Sequence, residues 1–184
     1  MIIVGLVGFI GSGKDIVADY LVDKYGFRKF TMSDIIKEEL KKLNKPINRE
    51  EMQKLSIEYK AKHGNSVWAK KSIEYIKKNK WQKAVISGLR DTQEIPVFKS
   101  AGKFILVFID AKLDVRLSRL IKRASEKDVA SKEELIVQEK REMVIFDLYR
   151  DYKKYYDYKI ENNTTLETLK KEIEEFAKKY EINK

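Results

Sequence analysis

The stretch Ile2-Ile3-Val4-Gly5-Leu6-Val7-Gly8-Phe9-Ile10-Gly11-Ser12-Gly13-Lys14-Asp15-Ile16 decides the fold. From Ile2 to Val7 it is nearly all apolar, as expected of a strand buried on both faces of a parallel sheet. The spacing Gly8-x-x-x-x-Gly13-Lys14 follows at once, and a helical pattern begins behind it. Glycines let the backbone turn so that successive N–H groups point inward at an anion. The helix behind them adds the partial positive charge of its N-terminus. Lys14 supplies a mobile cation. A strand before and a helix after distinguish a phosphate-binding loop from a chance cluster of glycines. On this reading Gly8, Ile10, Gly11, Ser12, Gly13, Lys14, Asp15 and Ile16 surround the phosphates of a nucleoside triphosphate, ATP or GTP.

Position 15 departs from the usual motif. A Ser or Thr hydroxyl is expected there as a magnesium ligand, and the chain has Asp15. In Ile86-Ser87-Gly88-Leu89-Arg90, a strand end carries Ser87 where an acidic residue often helps hold the metal. Two readings stay open. Asp15 and Ser87 have exchanged carboxylate and hydroxyl between neighbouring strand ends and together ligate Mg²⁺, or Asp15 caps a helix.

Outward from the loop, strand and helix signals alternate to the end of the chain, the pattern of a parallel sheet with covering helices. The first helix carries Ile16, Val17, Tyr20 and Leu21 on one face and ends before Gly26. A strand fits Phe27–Thr31, and Ser33 or Asp34 caps a helix through Leu43. Asn48 with Glu51 signals another helix start, and His63-Gly64-Asn65 a break before a further helix. Ala84–Gly88 and Lys103–Asp110 read as central strands, with a helix beginning near Asp91 between them. A helix over Leu113–Ala124 follows, with Leu113, Leu117, Leu120, Ile121 and Ala124 as its packing face. Ser131 with Glu134 opens a long helix, Tyr158–Glu161 is a last strand, and Thr164 with Glu167 opens the terminal helix. The expected fold is α/β, a three-layer P-loop NTPase architecture with a parallel five-stranded sheet, helices on both faces and a small helical lid. Residues 1–184 read as a single domain.

Composition narrows the chemistry. With no cysteine, and His63 as the only histidine, thiolate chemistry and Ser-His or Cys-His nucleophilic arrangements are excluded. Catalysis must come from Asp, Glu, Lys, Arg, a metal ion or backbone amides. The net charge of +10 suits an anionic partner, but most of it is lysine, which spreads over solvated faces. The run Tyr149-Arg150-Asp151-Tyr152-Lys153-Lys154-Tyr155-Tyr156 interleaves aromatic and basic residues, as base-stacking surfaces do. Tyr149, Tyr152 and Tyr156 fall at helical spacing, so packing is the favoured explanation and nucleic acid is not the expected partner. No apolar run reaches membrane-spanning length. The N-terminus reads as a strand and not a leader, which places the chain in the cytoplasm. No residue pattern signals an oligomeric state.

The chain resembles the nucleoside-monophosphate-kinase branch of P-loop kinases, in particular the adenylate-kinase-related, dephospho-CoA-kinase-like proteins. The resemblance is carried by Gly8–Lys14, Thr31-Met32-Ser33-Asp34, Ser87-Gly88-Leu89-Arg90, Phe108-Ile109-Asp110-Ala111 leading into Arg116, Arg119 and Arg123, and Tyr156–Asn162. The Gly-Lys-Asp ending is also similar to phage-type deoxynucleoside monophosphate kinases and phosphomevalonate kinases. The resemblance implies transfer of a γ-phosphoryl group from ATP or GTP, with Mg²⁺, to a small phosphorylated acceptor, dephospho-CoA or a nucleoside or deoxynucleoside monophosphate. It implies catalytic roles for Lys14, Asp34, Arg119 and Arg123, and acceptor binding by Asp34, Arg90 and Arg141. Residues 45–80 would build the acceptor pocket and 112–145 the lid. Arg116, Arg119 and Arg123, spaced i, i+3 and i+7, share one helix face. The competing readings are a P-loop NTPase or a regulatory nucleotide-binding module acting on nucleic acid without kinase activity.

Overall fold

A computed structural model describes residues 1–123 and 131–182. Five strands, β1 (Ile2–Val7), β2 (Arg28–Thr31), β3 (Lys83–Ser87), β4 (Lys103–Asp110) and β5 (Tyr158–Glu161), form one wholly parallel sheet in the order β2-β3-β1-β4-β5. The helices are α1 (Lys14–Tyr25), α2 (Met32–Lys42), α3 (Arg49–His63), α4 (Val67–Lys78), α5 (Glu94–Ala101), α6 (Leu113–Arg123), α7 (Lys132–Ile145), α8 (Asp147–Arg150) and α9 (Leu166–Lys179). A short 3₁₀ turn spans Tyr152–Lys154. The expected three-layer P-loop architecture is present.

Two cores sandwich the sheet, and the two-residue period of the strands assigns side chains to each. Along β4, Phe104, Leu106 and Phe108 enter one core while Ile105, Val107 and Ile109 enter the other. The first core is closed by α2, α4 and α5 with Leu148 of α8, the second by α1 and α9. Burial on both faces is why these strands read as unbroken apolar runs.

Helix starts follow their caps, and three expectations shift. Thr31, the last residue of β2, caps α2. Its hydroxyl accepts from Asp34 N at 3.1 Å, and Asp34 Oδ2 accepts from Thr31 N at 3.0 Å, a reciprocal capping box. Asp34 is therefore the third residue of the helix and neither it nor Ser33 is the cap, because the helix begins with no loop after the strand. At α9 the cap is Thr165 accepting from Thr168 N, one residue beyond the expected pair, which brings Leu169, Ile173, Phe176 and Ala177 onto the core. Helix α5 starts at Glu94 and not near Asp91. The pairs Asn48 with Glu51 and Ser131 with Glu134 cap as expected.

Two packing faces also differ. In α1 the buried residues are Val17, Ala18 and Leu21, while Ile16 is 45% exposed. In α6 the buried residues are Arg116 and Leu120, and Ile121 faces solvent. The inward turn of Arg116 rotates the apolar stripe away from the face expected for it. Ala124 of that expected face lies outside the described residues, as does the middle of the expected lid.

Tyr152 stacks on Phe108 at 4.2 Å and Tyr156 at 5.8 Å, and Tyr149 is buried, so the tyrosine run is packing. Phe108→Ala should destabilise the protein by roughly 3–5 kcal/mol in denaturant titration, the usual cost of emptying a buried aromatic site.

Candidate phosphate-binding site

The parallel register brings every chain segment of chemical interest to one edge. Leu6 pairs with Ser87, Thr31 with Ser87, Val7 with Phe108 and Asp110 with Glu161. The segments leaving these carboxyl ends, loops and first helical turns, carry Gly8–Lys14, Asp34, Arg90, Arg116 and Asn162. β1 lies between β3 and β4, where successive connections diverge to opposite sides, the place where open parallel sheets form their ligand crevice.

Two glycines of the loop, Gly8 and Gly13, leave no room for a side chain. Gly13, with φ 95°, caps α1, and a Cβ there would lie 2.3 Å from Asn162 Nδ2. Gly8 has no room either, since an added Cβ would meet Ile109 O at 2.5 Å. No side chain caps α1, so the reading of Asp15 as a helix cap does not hold. Its exposed carboxylate instead lies 3.1 Å from Lys29 Nζ.

Lys14 folds back over the loop, its Nζ donating to Gly8 O at 2.6 Å and Phe9 O at 3.2 Å. Burial lowers its pKa to about 8, against the pull of Glu142 and Asp15, and Arg116 lowers it further. Ser12 Oγ is buried with no hydrogen-bond partner among the described residues, as is Arg119 Nη1. Burial lowers the pKa of Arg119 as well, and its Nη2 donates to Asn162 Oδ1 at 3.0 Å. A buried unsatisfied donor carrying charge is costly. Two cations and an orphaned hydroxyl at one glycine loop make a candidate cradle for an anion with several oxygens.

Arg116 has a different place from the one its spacing suggested. It is 5% exposed, donates from Nε to Ala111 O at 2.8 Å and from Nη1 to Ile10 O at 3.3 Å, and pairs with Glu139 of α7. It braces the loop from behind. Burial falls along α6, so Arg119 is half-buried and Arg123 exposed. Phe9 is held by the rings of Phe108, Tyr149 and Tyr152 at 5.7–6.3 Å, and Tyr149 donates to Gly8 O at 3.3 Å. Burial pushes the Tyr149 phenol up to about 12, so it remains a donor.

The remaining expected residues lie around this cradle. Ser87 ends β3 between Leu6 and Thr31. Asp34 Oδ2 accepts from Thr31 Oγ1 and Oδ1 from Lys37, each at 2.9 Å; burial raises its pKa, and those bonds outweigh burial and hold it below its ordinary value. Arg90 is exposed, its guanidinium 4.5 Å over the Phe146 ring, with no ion pair among the described residues. Arg141 is exposed on α7.

Asn162, Glu139 and Tyr149 were not among the expected site residues. Asn162 is 3% exposed and donates to Ser12 O at 2.8 Å while accepting from Arg119, tying loop to cation. An asparagine after a strand reads as a turn residue, and only its place in the quoted Tyr156–Asn162 segment marked it. No sequence spacing links Glu139 or Tyr149 to a loop so far away in the chain.

The pKa of Lys14 makes anion binding depend on pH. In the free protein Lys14 is charged below about 8 and neutral between there and its ordinary 10.5, where the unfolded chain still holds that proton. This group therefore adds stability as pH rises across that window, while binding of a phosphate chain, which needs the ammonium, weakens. Calorimetry of pyrophosphate binding in buffers of different ionisation heat should show uptake approaching about one proton by pH 9 and little at pH 7. Lys14→Ala should abolish that uptake.

A family model described as an AAA domain matches residues 7–137. A UPF0200 protein of Methanosarcina mazei is 30% identical, covering 98% of this chain and 96% of that protein. Among solved structures, TT1252 from Thermus thermophilus is similar with a TM-score of 0.61 at 20% identity, covering 97% of each chain. A shikimate kinase from Aquifex aeolicus is similar with a TM-score of 0.54 at 21% identity, covering 99% of each. With its glycine loop, parallel sheet and these relatives, the chain belongs to the UPF0200 family and carries the AAA-domain P-loop NTPase module.

Proposed function

We propose that this protein is an ATP- or GTP-dependent small-molecule kinase. It transfers the γ-phosphoryl group to a nucleotide-like acceptor, dephospho-CoA or a nucleoside or deoxynucleoside monophosphate. The observation that carries the reading is the pair of cations at the loop, the buried Lys14 and the Nη1 of Arg119 that has no hydrogen-bond partner among the described residues. The fold held in common with a shikimate kinase supports a kinase by analogy.

Phosphoryl transfer asks a protein mainly for alignment and for positive charge around the moving group. Lys14 exchanges its bonds to Gly8 O and Phe9 O for phosphate oxygens. Arg119 Nη1 donates to the γ-phosphoryl group while Nη2 stays on Asn162. Arg123 and Arg141, exposed on α6 and α7, close over the phosphates as part of a lid spanning 112–145. Arg90 holds an acidic group of the acceptor through its fork of donors. Asp34 orients the acceptor from its place in the capping box, and α3 and α4, within 45–80, wall the acceptor pocket.

Asp15 and Ser87 offer hard oxygen donors of the kind magnesium takes. The exposed Asp15–Lys29 pair is of a type that costs little to exchange, and on this reading the two residues would hold the ion. Once bound, magnesium neutralises charge on the transferring phosphoryl group.

Labelled ATP offered with a panel of acceptors tests the reading. Stoichiometric label transfer to one of them is expected, with kcat lowered about 10²–10³-fold in Arg119→Ala, the cost of losing one aligned donor. ATP hydrolysis stimulated by oligonucleotides, with no acceptor labelled, would instead indicate an NTPase acting on nucleic acid.

A further inference from the structure

The segment α7–α8 is pinned across the site at two points. Near its middle, Glu139 pairs with Arg116, which donates to Ile10 O in the phosphate loop. Beyond its end, Asp147 accepts from Thr92 N at 3.0 Å and Thr92 Oγ1 at 2.6 Å, and Leu148 N donates to Arg90 O at 3.4 Å. Tyr149 then returns to Gly8 O. Glu142 lies between the anchors, three residues after Glu139 and so on the same helix face.

Glu142 is half-buried, and its carboxylate has no hydrogen bond or ion pair among the described residues. The charged and titratable groups around it are Lys14 of α1, Arg90 of the loop after β3, Glu139 of its own helix and Tyr149 of α8. Burial holds its carboxyl above the ordinary range, against the pull of Arg90 and Lys14. Asp34, by contrast, already accepts three hydrogen bonds. A carboxylate with open lone pairs, set between the phosphate cradle and Arg90, is placed to receive a proton.

We infer that Glu142 is the general base of this site, and that the acceptor is an alcohol carrying an anionic group for Arg90, not a monophosphate whose phosphate is itself phosphorylated. This rests on the kinase reading. The acceptor hydroxyl gives its proton to Glu142 as its oxygen bonds to the γ-phosphorus. The bond from that phosphorus to the bridging oxygen breaks, and its electron pair leaves on the nucleoside diphosphate. A phosphate acceptor has no need of the base, and its charge would lie against the carboxylate.

Glu142→Gln keeps the shape and removes the base. With an alcohol acceptor such as dephospho-CoA, kcat should fall about 10²–10⁴-fold, and the acid limb of the kcat–pH profile should vanish. ATP binding by calorimetry should be no weaker than in the unaltered protein, since a negative charge near Lys14 is gone. Glu142→Asp, which keeps a carboxylate, should retain the acid limb. Transfer to AMP or dTMP and to no alcohol overturns the inference and leaves the kinase reading standing, as does Glu142→Gln with unchanged kcat on an alcohol. A protein that binds ATP and labels neither class overturns the kinase reading and the inference with it.

Discussion

Concentrating positive charge and inward amides at one turn of backbone is unfavourable until an anion arrives, and the rest of the site depends on holding that turn in place. Lys14 loses solvation there, and Arg119 keeps one nitrogen unbonded in a buried setting. Such strain persists only where the surroundings over-determine the geometry. Here Arg116 braces Ile10 from behind, Asn162 grips Ser12, and Tyr149 and the rings around Phe9 fix the entry to the loop. The loop's conformation is thereby fixed by the protein itself, as preorganised binding of a phosphate chain would require.

The same bracing explains why α6 and α7 belong to the site. Glu139 and Arg116 form a buried pair, a weak source of net stability but a strict setter of geometry. It fixes α7 relative to the loop, and the contacts of Asp147 and Leu148 fix the far end relative to Arg90. The glycine loop and the loop after β3 are thereby coupled through one helix. A shift of α7 would alter both at once.

Much of this was legible in the residues, and the failures share a cause. The central strands β1 and β4 match their expected limits because burial on both faces writes unbroken apolar runs, and β5 matches too although only Ile160 of it is buried. The turn between β1 and α1 was legible because its glycines and lysine sit together in the chain. Arg116 was misplaced because helical spacing gives the angle of a side chain and not the acceptors waiting for it, here Ala111 O, Ile10 O and Glu139. Asn162 reaches Ser12 across 150 residues of chain, and no local pattern encodes that reach. Asp34 resembles a cap in sequence, but the hydroxyl of Thr31, the last residue of the strand, takes that place.

The central claim is that the Gly8–Lys14 loop holds a polyphosphate. Calorimetric titration of ATP with magnesium into the unaltered protein and into Lys14→Ala tests it most directly. Saturable one-to-one binding that weakens by about tenfold or more in the variant is predicted, the cost of losing a charged hydrogen-bond donor. No binding by the unaltered protein, or equal affinity in the two, would contradict it.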